Sequence, residues 1–153
     1  MQPSREKGAI SMFRRIVVAT DGSEGARKAV RYVAEKLGEG DVRVALVRVT
    51  SPLPRYIFTE FMVPDLDPQG VVEKRTRDEV EEDATPLRVR GIPYEVYVEV
   101  GDPASEVVRR ARELGADLIV VGRRGLNPLQ EIFLGSVSQR ILHLSEIPVL
   151  VIH

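Results

Sequence analysis

Apolar residues in this chain come in short continuous runs, separated by stretches with helical spacing. Ile16 to Ala19 form an unbroken apolar run that ends at Thr20, as expected of a parallel strand buried on both faces. Ser23 offers a helix N-cap, Ala26, Val30, Val33 and Leu37 follow on one helical face, and Gly38 supplies a stop. A second strand is predicted over Val42–Val49. Val42, Val44 and Leu46 alternate with other residues at its start, which predicts a wetter face there. Residues 50–69 hold Pro52, Pro54, Pro64 and Pro68 without periodicity and read as a functional or mobile loop. The charged stretch 70–85 carries a sparse stripe of Val72, Val80 and Ala84, predicting a helix that Pro86 ends or kinks. Tyr94, Val96, Val98 and Val100 alternate with Glu95, Tyr97 and Glu99, the pattern of a half-exposed edge strand. Asp102 and Pro103 are an N-cap and a first helical residue. Val107, Ala111 and Leu114 form that helix's buried stripe, and Gly115 closes it. A further apolar strand (117–122), a helix (135–144) and a last strand (147–152) complete the chain.

Strict alternation of strand and helix implies one α/β domain built on a doubly wound parallel sheet with right-handed crossovers and helices on both faces. Residues 13–153 are expected to form it, with residues 1–12 as a flexible N-terminal tail. No internal repeat or second domain is evident. The 153 residues suit one such domain.

Charge and composition remove several function classes. With 22 basic and 23 acidic residues the formal net charge is −1, so nothing global favours nucleic acid or an anionic membrane. Cysteine is absent, which excludes disulfides, thiolate metal sites and cysteine nucleophiles. His143 and His153 stand without partners at ligand spacing, so no histidine metal site is expected. No apolar run approaches the ~18 residues of a membrane span, and a cytoplasmic location is the default expectation.

Candidate chemistry gathers at strand ends, where open α/β sheets bind ligands. Thr20 and Asp21 end the first strand, Val49 and Thr50 the second, and Gly122 to Gly125 follow the fourth. Two residues separate Gly122 from Gly125 and nine separate Gly125 from Gly135. Glycines allow close approach of backbone N–H groups to a ligand. With Gly135 at a helix start, Ser136, Val137 and Ser138 would turn their N–H groups toward an anion. Arg123 could add charge-assisted hydrogen bonds. A phosphate cradle and an ordinary glycine turn with a helix cap both fit this spacing. No GxxxxGK[ST] occurs, and no GxGxxG follows the first strand, so P-loop and dinucleotide-binding Rossmann sites are disfavoured.

Taken together, Ile16 to Glu24, Gly101 to Ala104, Gly115 to Gly122, the glycine series ending in Gly135 and Ser136, and Pro148 to Ile152 resemble the universal stress protein family, ATP-binding type. The resemblance spans residues 13–153. It implies a five-stranded sheet in the order 3-2-1-4-5 and a site for ATP carrying Mg²⁺ or Mn²⁺ on its phosphates. Asp21 would sit beside the ribose or a metal-bound phosphate. Backbone atoms near Val49 would read the adenine edge, and Gly122, Gly125, Gly135, Ser136, Val137 and Ser138 would hold ribose and phosphates. It also implies a homodimer through strand 147–153, which would cover an apolar edge otherwise prone to aggregation. Arg123 departs from the small residue more usual there. Three functions follow: a nucleotide-dependent dimeric module in stress response that signals to an unidentified protein partner, a slow Mg-dependent ATPase, or an interaction module without nucleotide. Hydrolysis would find charge stabilisers in Arg123, Ser136 and Ser138, but no convincing base, so no residue is assigned a catalytic role. Arg124 and Glu131 read as solvated loop charges.

Overall fold

The computed structural model describes residues 11–54, 56, 67–123 and 135–153. Strand β1 (Arg15–Thr20) forms the middle of a parallel sheet with β2 (Arg43–Thr50) and β3 (Tyr94–Val100) on one side and β4 (Leu118–Gly122) and β5 (Val149–Ile152) on the other. The order 3-2-1-4-5 agrees with the expected one. Register runs Thr20↔Arg48 between β1 and β2 and Val18↔Val120 between β1 and β4, so the strand ends that matter line up along one crest.

Side-chain alternation divides the core into two layers. Ile16, Val18, Val44 and Leu46 face helix α1 (Glu24–Tyr32), which continues as a wider turn over Val33–Leu37, together with α2 (Pro68–Asp83) and the short α3 (Thr85–Val89). Val17, Ala45, Val47, Ile119 and Val121 face α4 (Pro103–Glu113) and α5 (Ser136–Leu144). The wetter face expected at the start of β2 is not found. Ala45 and Val47 are buried beside α4, and only Arg43 at the strand's first position is exposed. The expected helix over 70–85 begins at Pro68, which supplies its first turn, and ends at Asp83. Pro86 lacks an amide hydrogen, so it sits in the first turn of a separate helix. Ala84, Leu87 and Val80 all pack inward at this corner, while Val72 is only half-buried and Thr76 takes a buried place on the stripe.

Helix α4 is held on the β3 edge by charge. Glu99, largely buried, accepts hydrogen bonds from Arg109 (2.8 Å) and Arg110 (2.7 Å). Arg109 reaches on to Glu106 and Glu113, both at 2.6 Å. The Arg110 guanidinium also lies 4.7 Å from the centre of the Tyr97 ring, within cation–π range. Arginine forks shared among several carboxylates hold geometry better than isolated surface pairs. They anchor the C-terminal half of α4 to the end of β3.

Candidate functional site

Beyond Thr20 the chain turns sharply. Gly22 has φ +76°, a left-handed conformation that glycine adopts without penalty. The Ser23 amide donates to Asp21 Oδ1 (2.9 Å) and the Ala26 amide donates to Ser23 Oγ (3.2 Å). Ser23 is therefore the cap of α1, and Asp21 shapes the turn before it. The end of β4 then passes extremely close to the start of α1. A Cβ on Gly122 would lie 2.1 Å from the Gly25 carbonyl oxygen, and one on Gly25 would lie 2.2 Å from the Arg123 carbonyl oxygen. Gly122 is thus required by packing between two backbones, a role its place in the glycine series did not disclose.

A cleft of about 270 Å³ opens where these strand ends meet the first turns of α4 and α5. Thr20, Asp21, Val49, Gly122, Gly135, Ser136, Val137 and Ser138 all line it. Arg123 follows β4 and donates its amide to the Ile152 carbonyl (2.8 Å), but it is not part of the lining. Gly125, Arg124 and Glu131 lie outside the described residues, as does most of the expected tail. Gly135 stands at the N-cap of α5 with φ −60° and ψ 154°, and no side chain among the described residues caps the helix. The first-turn N–H groups have no intrahelical acceptor, and here they open into the cleft with the positive end of the helix dipole behind them.

Pro103 and Val107 from α4, Ile141 from α5, and Arg48 from β2 complete much of the wall. Arg48 escaped the sequence reading, although a lone charge between Val47 and Val49 in a buried strand is a usable signal. Its guanidinium lies against the Gly22 turn, and Nη2 faces Glu79 of α2 at 3.6 Å. Arg48 Nη1 and Thr20 Oγ1 are the buried side-chain polar atoms without a hydrogen-bond partner among the described residues. They belong to register partners on adjacent strands. Leaving such groups unsatisfied costs about 1–3 kcal/mol each, more for a charged one. Two of them at one cleft mark a wall suited to a polar occupant.

The α4 and α5 walls are tied together. Asp102 accepts from the Ser105 amide (3.0 Å) and hydroxyl (2.7 Å) on one carboxylate oxygen, and from Arg140 Nη1 (2.5 Å) on the other. Its pKa is lowered to about 2, chiefly by Arg140 and then by Ser105. A carboxylate with a depressed folded pKa stabilises the fold above its unfolded value of about 3.9 and loses that contribution as pH falls through the folded one. The melting-temperature difference between the native chain and Asp102→Asn is therefore expected to stay flat above about pH 5 and to shrink toward pH 2. A difference that changes between pH 5 and pH 8 would show that another group governs the tie.

No group of histidine and carboxylate residues among the described residues could hold a metal ion. No helix among them is long and apolar enough to cross a membrane. A profile of the universal stress protein family matches residues 12–153. The chain is 31% identical over 149 residues to the Bacillus subtilis universal stress protein YxiE, covering 92% of this chain and 99% of that protein. Among solved structures it resembles the Methanocaldococcus jannaschii protein MJ0577, with a TM-score of 0.73 and 30% identity over 92% of this chain and 96% of that one. It also resembles a universal stress protein in complex with cAMP, with a TM-score of 0.65 and 25% identity over 92% of this chain and 97% of that one.

Proposed function

This chain belongs to the universal stress protein family, and we propose that within it the protein acts as an ATP-binding, nucleotide-dependent dimeric module in stress response. The observation that carries this reading is the start of α5, uncapped by any described side chain, which opens into a cleft bounded by Thr20 and Arg48, whose buried polar atoms have no partner among the described residues. A helix N-terminus of this kind favours phosphate. Because β1 lies between β2 and β4, a nucleotide laid along the crest would place its phosphates at Gly135 to Ser138 and its ribose over Thr20 and Asp21. Its base would then lie near Val49. The related structure that holds cAMP supports an adenine nucleotide as the occupant. Mg²⁺ or Mn²⁺ would ride on the phosphates rather than in a protein cage, which suits a site without an acidic cluster among the described residues.

Strand β5 lies at the sheet's free edge with all four residues half-buried. Pairing with the same strand of a second copy would cover it, and the module would present its dimer surface to a protein partner in the cytoplasm.

Purified protein tests the whole reading. Denaturation followed by chromatography is expected to release ATP, and light scattering is expected to give the mass of a dimer. Recovered ADP with phosphate release above background would instead indicate slow hydrolysis. A protein that arrives empty and ignores added Mg-ATP would overturn nucleotide binding. A monomer at micromolar concentration would overturn the strand pairing.

A further inference from the structure

Asp102 lies next to the cleft lining, at the start of α4, and has two tasks there. One carboxylate oxygen caps α4, whose first residue Pro103 lines the cleft, and the other holds Arg140 of α5. Arg140 lies about one turn beyond Ser136 to Ser138. A carboxylate needed as a cap is therefore tied to the second turn of the helix whose N-terminus best suits phosphate. Left bare, it would repel the ligand. Arg140 at 2.5 Å cancels its charge.

We propose that the Asp102–Arg140 pair is a charge gate that determines how many phosphates the cleft accepts. This inference rests on the nucleotide reading above. Neutralised, the pair leaves the α5 dipole to act on the ligand unopposed. Without Arg140, the Asp102 charge opposes each further phosphate, so a triphosphate suffers more than a monophosphate. Both side chains are partly solvated, at 40% and 54% exposure, so screening limits the effect. At low ionic strength a discrimination of about 3- to 10-fold is expected, and it should fade as added salt shortens the Debye length.

The test is calorimetric titration of AMP and ATP in EDTA at low salt, with melting temperatures to confirm folding. Arg140→Gln is expected to weaken ATP about 3- to 10-fold more than it weakens AMP. Arg140→Lys should keep most of the native ratio. Asp102→Asn retains a good cap and frees Arg140, so ATP should bind more tightly. The double variant Asp102→Asn with Arg140→Gln should return the ATP-to-AMP ratio close to the native value, an outcome that a merely structural tie would not produce. Equal losses for AMP and ATP in Arg140→Gln, or no recovery in the double variant, would overturn the gate while leaving nucleotide binding intact. Should Arg140→Gln fail to fold, Asp102→Asn alone decides, because an unchanged ATP-to-AMP ratio there also overturns it. A native protein that binds neither nucleotide overturns the underlying reading, and the gate with it.

Discussion

Gly122→Ala is expected to destabilise the whole fold rather than simply empty the cleft. Its added methyl group would lie 2.1 Å from the Gly25 oxygen, 2.2 Å from the Gly25 carbonyl carbon and 2.7 Å from the Ala26 nitrogen. All three are backbone atoms, and all lie well inside the ~3.5 Å optimum for non-bonded contact. No rotamer change can relieve them. Strand β4 and helix α1 must separate, and the layer formed by Val18, Ala29, Val30 and Val120 opens with them. A loss of about 3 kcal/mol or more is expected, at or beyond the upper end of the usual cost of overpacking, because only backbone can yield. Against a total stability of about 5–15 kcal/mol, the melting temperature should fall by about 10 °C or more. Gly22→Ala is the instructive comparison. There φ is +76° and the nearest atom is Arg48 Nη1 at 2.8 Å, the end of a flexible side chain. Its penalty is mainly the left-handed backbone, about 1–2 kcal/mol. Calorimetry of both variants without ligand separates the cases. A Gly122→Ala protein that melts within a degree or two of the native chain, yet binds no ligand, would mean that the close approach is not a packing constraint.

The same glycine shows where sequence reading reaches its limit. The parallel sheet was legible because most of its strands are apolar runs of the right length, and the edge position of β3 was legible from its alternation of tyrosine, valine and glutamate. Spacing also brought most of the candidate residues to one cleft, since strand ends in a doubly wound sheet share a crest whatever their separation in the chain. Pairwise proximity was not legible. Gly25 and Gly122 are far apart in sequence, and only the crossing of α1 over β4 makes each a condition for the other. Arg48 was hidden because a strand pattern read for burial treats a single polar position as noise. Asp102 and Arg140 were visible as a cap and a helix residue, but their meeting depends on the angle between α4 and α5, which no periodicity records. The apparent wet face of β2 failed for a related reason. Small Ala45 sits beneath α4, and close helix packing, not polarity, explains its size.

Gly135→Asp should separate the stability of α5 from the capacity of the cleft. The backbone there, with φ −60° and ψ 154°, is ordinary extended geometry that any residue adopts, so glycine is not needed for conformation. Aspartate is a preferred N-cap, better than glycine by a few tenths of a kcal/mol, and its charge complements the dipole by about 0.3–1 kcal/mol. The melting temperature should therefore stay level or rise slightly. Binding should move in the opposite direction. The new carboxylate would accept from the first-turn N–H groups that the phosphates need, and would repel whatever phosphate remained. Loss of two charge-assisted hydrogen bonds at about 1.5 kcal/mol each corresponds to a fall in ATP affinity of about 100-fold. Gly135→Asn supplies a similar cap without charge. It should lose only about 10-fold if one bond's worth of donor capacity is diverted. The gap between the two variants then measures what the aspartate's charge adds, in stronger capture of the donors and in repulsion, and it should narrow with salt because it acts through charge. An aspartate variant that binds ATP as tightly as the native chain would place the phosphates somewhere other than α5. A variant that loses affinity and stability together would mean that residue 135 supports the helix rather than the ligand. Only a divergence of the two measurements is consistent with a helix end left uncapped so that its donors can serve an anion.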